Sequence, residues 1–248
     1  MLKALALDFD GVICDGFGEC VLVTWYAQRG ARLADFSAAG MSAIPARFVR
    51  QFSHCRAFAK HLPHFYTSFL DGIEGVRTQE EFEALYATAP TADVEAFVTA
   101  LNAYRGNVRE LLPERWLSEQ ALYPGMADFL RQCPWPLYIV TAKDAASVAS
   151  ILEHAQVPFE RRRIFGEQRD KRAALGQICG AEALLPTELG FLDDNVLNAA
   201  AAKHAGFRAF WALWGYRAPD HAQLAERHQL TGVSLEQITL GRDWSFAA

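Results

Sequence analysis

The chain begins with a short apolar run that ends in two acids and a glycine, LALDFDG at residues 5–11. The run has no polar alternation, which is typical of a strand that is buried on both faces of a sheet. Similar runs follow at residues 137–141, 189–193 and 207–211, and amphipathic stretches separate them. Strands that alternate with helices predict an α/β fold with a Rossmann-like parallel sheet.

Residues 16–121 differ from the rest of the chain. Apolar residues recur there at helical spacing, as in the stripe Phe48, Phe52 and Cys55, and no convincing strand interrupts them. The segment is far longer than a crossover between parallel strands requires. We therefore predict two domains, a sheet-containing core of residues 1–15 and 122–248 and an all-helical cap domain of residues 16–121.

The composition argues against several classes of function. The 24 basic and 29 acidic residues give a formal net charge of −5, so no basic field is available to hold nucleic acid or an anionic membrane. No apolar run approaches the about 20 residues that a membrane helix needs, and the N-terminal stretch does not resemble a signal peptide. The five cysteines include no C-x-x-C pair, which favours reduced thiols. We expect a cytoplasmic protein that binds neither nucleic acid nor membrane.

Polar residues stand at the ends of three predicted strands. Asp8 and Asp10 follow the first strand, Thr141 ends the second, and Asp193 and Asp194 end the third. Ligands of an open parallel sheet bind at the carboxyl ends of its strands. Several carboxylates brought together there would raise one another's pKa, and a divalent cation is the simplest remedy. An all-oxygen ligand set of this kind suits Mg²⁺.

The same residues have the chemistry of phosphoryl transfer. One aspartate could attack a phosphoryl group, and a second, two residues later, could act as general acid and then as general base. Thr141 could bind phosphate oxygens together with Lys171, which stands at the start of a helix predicted over residues 172–178.

The order and spacing of these residues resemble the haloacid dehalogenase-like (HAD) hydrolase superfamily, phosphatase branch. The four motifs of that superfamily match DFDGV at residues 8–12, Thr141, Lys171, and FLDD at residues 191–194. The resemblance implies that Asp8 is the nucleophile and a Mg²⁺ ligand. It also implies that Asp10 is the acid/base, with its backbone carbonyl at the metal.

The resemblance assigns further roles. Thr141, Ala142 and Lys171 would bind the phosphoryl group, and Asp194 would be the third metal ligand with Asp193 in support. One common form of the fourth motif has another acid four residues after the ligand, where this chain has Asn198. Members of the superfamily can carry a helical cap just after the first motif, and residues 16–121 occupy that place.

The resemblance predicts a Mg²⁺-dependent phosphatase that hydrolyses a small phosphorylated metabolite through an aspartyl-phosphate. Alternatives within the superfamily are a sugar-phosphate mutase, a dehalogenase, for which Asp10 would be superfluous, and a phosphonatase, for which the cap offers only Lys60. A receiver-like signalling module is a non-catalytic alternative. The dense basic run from Arg47 to His64 is either a solvated helix face or a surface that reads a polar or anionic leaving group.

Overall fold

The structure is a computed structural model that describes residues 1–30 and 32–240. The chain divides into two compact units. Among the described residues, the core unit contains Met1–Asp15, Leu122–Arg217 and residues 221–240, and the helical unit contains Gly16–Ala121 and Ala218–Asp220. The sequence assigned residues 218–220 to the core. They belong to the helical unit because Ala218 packs in its apolar cluster and Asp220 accepts a hydrogen bond from the Gln79 backbone at 3.1 Å.

The described residues form eight strands and twelve α-helices. In chain order the strands are β1 (Ala4–Leu7), β2 (Cys14–Asp15), β3 (Ala121–Leu122), β4 (Leu137–Val140), β5 (Ile164–Phe165), β6 (Leu189–Asp193), β7 (Arg208–Ala212) and β8 (Thr231–Val233). Strands β2 and β3 form a separate two-stranded sheet. The helices of the helical unit are α1 (Phe17–Ala27), α2 (Ala38–Ala43), α3 (Ala46–Phe58), α4 (Gln79–Tyr86), α5 (Thr91–Leu111) and α6 (Pro113–Ser118). The helices of the core unit are α7 (Met126–Gln132), α8 (Ala145–His154), α9 (Lys171–Glu182), α10 (Val196–His204), α11 (His221–Arg227) and α12 (Leu235–Thr239).

Six parallel strands form the main sheet, in the order β5-β4-β1-β6-β7-β8. Strand β1 lies near its centre, where Leu7 is paired with Ile139 of β4 and with Leu192 of β6. Every residue of β1, β4 and β6 is buried, as expected for strands covered on both faces. The prediction of a parallel α/β sheet with a helical cap is confirmed.

Helices begin and end where the local chemistry favours it. Asp144 caps α8 by accepting a hydrogen bond from the Ser147 backbone, and Asn195 caps α10 in the same manner. Gly206 follows α10 with φ 91°, a conformation that other residues rarely adopt. These short connections bring the carboxyl end of each strand next to the start of a helix.

The helical unit has its own apolar core. Phe58 of α3 stacks on Phe82 of α4, with ring centroids 5.4 Å apart, within a cluster that includes Cys55 and Ile73. A 3₁₀ segment (Leu62–Phe69) connects these layers. Among the described helices of the whole chain, none combines the length and the hydropathy that a membrane span requires.

Candidate active site

Asp8 and Lys171 lie at the centre of the carboxyl edge of the sheet. Asp8 directly follows β1, and Lys171 is the first residue of α9. The Nζ of Lys171 is 2.8 Å from Oδ2 of Asp8 and 2.7 Å from Oδ2 of Asp193. The backbone N–H of Phe9 donates to Oδ1 of Asp8 at 2.7 Å. The lysine therefore bridges two carboxylates that come from neighbouring strands.

The charges of this pair are set by burial and by each other. The pKa of Asp8 is raised to about 6, because burial and the Asp193 carboxylate raise it more than Lys171 lowers it. Burial disfavours the charged form of Lys171, but the carboxylates of Asp193 and Asp8 outweigh it and raise the pKa of the ammonium. Lys171 is thus a permanent cation, and a further cation beside Asp8 would favour its ionised form.

The two aspartates that follow one another at the end of β6 have different environments. Asp193 has protein donors on both oxygens, because Oδ1 accepts from the Asn195 backbone at 2.8 Å and Oδ2 accepts from Lys171. Asp194 accepts on Oδ2 from the backbone N–H of Tyr216 at 2.7 Å. Asp193 is therefore suited to holding Lys171 in place.

Three buried carboxylates form a group that fits a metal ion. Asp8, Asp193 and Asp194 each offer an oxygen, and these oxygens lie within 4.8 Å of one another. A Cβ built at Gly11 would come within 2.1 Å of Asp194 Oδ2, and one at Gly215 within 2.6 Å, so both glycines leave room for this carboxylate. An all-oxygen donor set of this charge suits Mg²⁺.

Asp10 forms an ion pair that the sequence did not predict. Its Oδ1 lies 3.1 Å from Nζ of Lys143, in the loop between β4 and α8. The hydroxyl of Thr141, which is buried, accepts a hydrogen bond from the Lys143 backbone at 3.2 Å. Ala142 is exposed between them. Counted as ionised, the aspartates at 8, 10, 193 and 194 and the lysines at 143 and 171 together carry a surplus of negative charge that one divalent cation would balance.

The structure thus places every residue of the predicted site at the carboxyl edge of the sheet. Asp8, Lys171, Asp193 and Asp194 are in one group, Asp10 pairs with Lys143, and Thr141 lies on the loop after β4, the strand next to β1. The catalytic and ligand roles of these residues stay predictions. We did not predict Lys143 from the sequence, although it stands two residues after Thr141, at the end of a predicted strand where site residues are expected.

The basic run of the helical unit is only partly solvated. Lys60 is 3.0 Å from Oε1 of Glu83, and His64 is buried against the rings of Phe82 and Tyr86. These two residues stabilise the helical unit itself, so a solvated face is the wrong interpretation for His64. Arg50 is exposed.

Comparisons with known proteins identify the fold. No family model matches the chain, and no curated protein matches it in sequence. The solved structures that it resembles include a hydrolase of the haloacid dehalogenase-like family from Streptococcus pneumoniae, at 16% identity and TM-score 0.58 over 96% of both chains. A "predicted phosphoglycolate phosphatase" from Haemophilus somnus has 18% identity and TM-score 0.62 over 96% of both chains. A "predicted phosphatase" from Clostridium acetobutylicum has 11% identity and TM-score 0.56 over 94% of both chains.

These similarities extend over nearly the whole chain, including the helical insertion after the first strand. At such low identities they establish architecture rather than substrate. The chain has the haloacid dehalogenase-like hydrolase fold, with a helical cap inserted after the first motif.

Proposed function

We propose that this protein is a Mg²⁺-dependent phosphatase that hydrolyses a small phosphorylated metabolite through an aspartyl-phosphate on Asp8. The observation that carries the proposal is the bridge of Lys171 between Asp8 and Asp193, with the Asp194 carboxylate in the same buried group. A phosphoryl group in transfer carries negative charge on its oxygens, and a buried lysine and a candidate cation site beside the attacking carboxylate would stabilise that charge. The phosphatases named among the similar structures agree with this choice.

The first step is transfer of the phosphoryl group to the protein. An Oδ of Asp8 attacks the phosphorus of the ester, and the bond between phosphorus and the leaving oxygen breaks. Asp10 has to enter this step in its protonated form, and it donates that proton to the leaving oxygen, so the product leaves as an alcohol. Lys171 and Thr141 bind the phosphoryl oxygens and stabilise their charge. Bound Mg²⁺, held by Asp8, Asp194 and the backbone carbonyl of Asp10, would supply electrostatic stabilisation of the same oxygens.

The second step regenerates the carboxylate. A water molecule attacks the phosphorus while Asp10, now ionised, accepts a proton from it. The bond between phosphorus and Asp8 breaks, and inorganic phosphate is released. Both protons pass through Asp10, so its carboxyl group ends the cycle in the state in which it began. Asp193 takes no part in bond making and keeps Lys171 oriented.

The experiment that tests this proposal is phosphate release from a panel of sugar, nucleotide and short-acid phosphates and one aryl phosphate. Each ester is measured with Mg²⁺ and with excess chelator. We expect turnover of the aryl phosphate and of at least one metabolite that depends on Mg²⁺. Undiminished turnover in chelator would refute the metal requirement, and conversion of a sugar phosphate to its isomer without phosphate release would favour a mutase.

A further inference from the structure

The ion pair between Lys143 and Asp10 lies inside the core unit and is largely shielded from water. Nζ of Lys143 is 3.1 Å from Oδ1 of Asp10, and the two side chains are 11% and 21% exposed. Pairs of this kind are screened less than surface pairs and hold their geometry better. The pair therefore differs from the exposed ion pairs of this chain, such as that between Lys3 and Glu188, where the lysine is 59% exposed.

The backbone that carries Lys143 is fixed on both sides. Its N–H donates to the hydroxyl of Thr141, and its carbonyl accepts from the Glu167 backbone at 3.1 Å. Gly166 packs so closely against this loop that a Cβ there would come within 2.8 Å of the Lys143 carbonyl oxygen and 2.4 Å of the Ala145 nitrogen. The lysine side chain therefore starts from a position that the loop determines.

The two lysines of the site form ion pairs with different aspartates. Lys171 contacts Asp8 and Asp193, whereas Lys143 contacts Asp10. Asp8 is held in addition by the Phe9 backbone, at the end of a strand in the middle of the sheet. Asp10 lies two residues further on, in the turn beyond the strand. A carboxylate that must reach both a leaving group and a water molecule has to keep a fixed orientation, because small displacements slow proton transfer.

We propose that Lys143 is a positioning residue, which holds the carboxylate of Asp10 in the orientation that proton transfer requires. This inference rests on the proposed phosphatase function, in which Asp10 is the acid and base. Loss of Lys143 should lower kcat and leave KM nearly unchanged, because the lysine acts through Asp10 and not on the phosphoryl group. The loss should be larger for an ester with a leaving group of high pKa, which needs protonation most.

A double-mutant cycle tests the proposal. The variants are Lys143→Met, Asp10→Asn and both together, and kcat and KM are measured for two aryl phosphates whose leaving groups differ in pKa. Inorganic phosphate binding is measured by calorimetry in parallel. We expect Lys143→Met to lower kcat about tenfold to a hundredfold, with unchanged phosphate affinity. We expect no further loss when it is added to Asp10→Asn, because the group that it positions is already inactive.

Two variants complete the design. Lys143→Arg keeps the charge and should recover part of kcat, which also separates the effect from a failure to fold. Lys3→Met removes a lysine from an ion pair at the other end of β1 and should leave kcat unchanged. Equal losses from Lys143→Met in both backgrounds, or a loss confined to KM and phosphate affinity, would overturn the positioning role. If the wild-type protein releases no phosphate from any ester, the proposed function fails first, and this inference fails with it.

Discussion

Asp8 combines burial with a bridging cation, and this combination decides its chemistry. Burial is the largest of the effects that raise the pKa of this carboxyl group to about 6, so it favours the protonated form, which could not attack phosphorus. Lys171, at 2.8 Å, favours the ionised form, and a divalent cation held by the group of Asp8, Asp193 and Asp194 would favour it as well. In the proposed mechanism, both counter-charges would therefore increase the fraction of Asp8 that is ionised and able to attack phosphorus.

Asp10 lies two residues after Asp8 and has a different role in the proposed mechanism, which substitutions should reveal. Asp8→Asn should reduce turnover of every phosphate ester to background, because no carboxylate remains to accept the phosphoryl group. Asp10→Asn should lower kcat by roughly 10²–10⁴ for a poor leaving group and by less for the phosphorylation step with an activated aryl phosphate. Steady-state rates and the burst of aryl alcohol measure the two effects. Near-normal turnover by Asp8→Asn would show that another residue is the nucleophile.

At the scale of elements, the loop after β7 fixes the metal-ligand candidate Asp194. The backbone N–H of Tyr216 donates to its Oδ2 at 2.7 Å, and the Trp211 ring donates to its backbone oxygen at 2.9 Å. Trp214 donates to the Val12 carbonyl at 3.0 Å, which joins this loop to the turn after β1. Gly215 is at the point of closest approach, since a Cβ there would lie 2.3 Å from the Gly11 oxygen.

Gly215→Ala should therefore disturb Asp194 directly. We expect Mg²⁺ affinity to fall about tenfold or more, as for other changes that move a metal ligand, and stability to fall by about 1–3 kcal/mol from overpacking. Calorimetric Mg²⁺ titration and chemical denaturation measure the two quantities. Gly180→Ala on α9 is the matched control, because a Cβ there meets nothing within 4 Å, and it should be neutral or slightly stabilising. Unchanged Mg²⁺ affinity in Gly215→Ala would show that this loop does not position Asp194 for metal binding.

The elements that the sequence predicted are those with strong local signals. The buried runs at 137–141 and 189–193 correspond to β4 and β6, and their carboxyl ends fixed the predicted site. The sequence did not predict the roles of Lys143 and Gly215. Their partners, Asp10 and Asp194 respectively, are distant in sequence, and only the geometry of the loops brings each pair together. Residues 241–248 lie outside the described part of the chain, so the predicted core boundary at 248 stays a prediction.

At the scale of the whole molecule, the helical unit contains a histidine that should make it acid-sensitive. The pKa of His64 is lowered to about 4, because burial, His61 and Lys60 lower it more than Glu83 raises it. Its Nδ1 accepts from the Lys60 backbone at 3.3 Å, which requires a neutral ring with the proton on Nε2, towards Glu83 Oε2 at 3.7 Å. Tyr86 covers its other side. The contact with Glu83 is therefore not an ion pair at neutral pH.

The sign of the resulting pH dependence follows from linkage. Between pH 6.5 and 4 the unfolded chain binds a proton at this position and the folded chain does not, so stability is lost as pH falls through this window. Lowering the pH from 7 to 5 should cost about 2 kcal/mol through His64 alone. His64→Phe should remove that part of the dependence in denaturation experiments, whereas the same substitution at exposed His154 should keep it. Identical pH dependence in wild type and His64→Phe would contradict the assignment.

Substrate choice belongs to the molecule as a whole. In the proposed function, the residues of the core edge bind only a phosphoryl group, which all phosphate esters share, so we expect discrimination to come from other residues. We expect exposed Arg50 of the helical unit to contribute, and Arg50→Ala should lower kcat/KM for the preferred metabolite more than for an aryl phosphate. Lys60→Ala should act mainly on stability, because its partner is Glu83. Equal losses for both substrates would exclude Arg50 from substrate recognition.

The central claim is that Asp8 accepts the phosphoryl group, and the most direct measurement is its capture on the protein. Asp10→Asn is mixed with Mg²⁺ and an activated aryl phosphate, quenched in acid and digested, and the peptides are mapped by mass spectrometry. We predict that the peptide containing Asp8 gains the mass of one phosphoryl group, and that Asp8→Asn on the same background gains none. A phosphoryl group on any other residue, or none on Asp8 while the ester is still consumed, would contradict it.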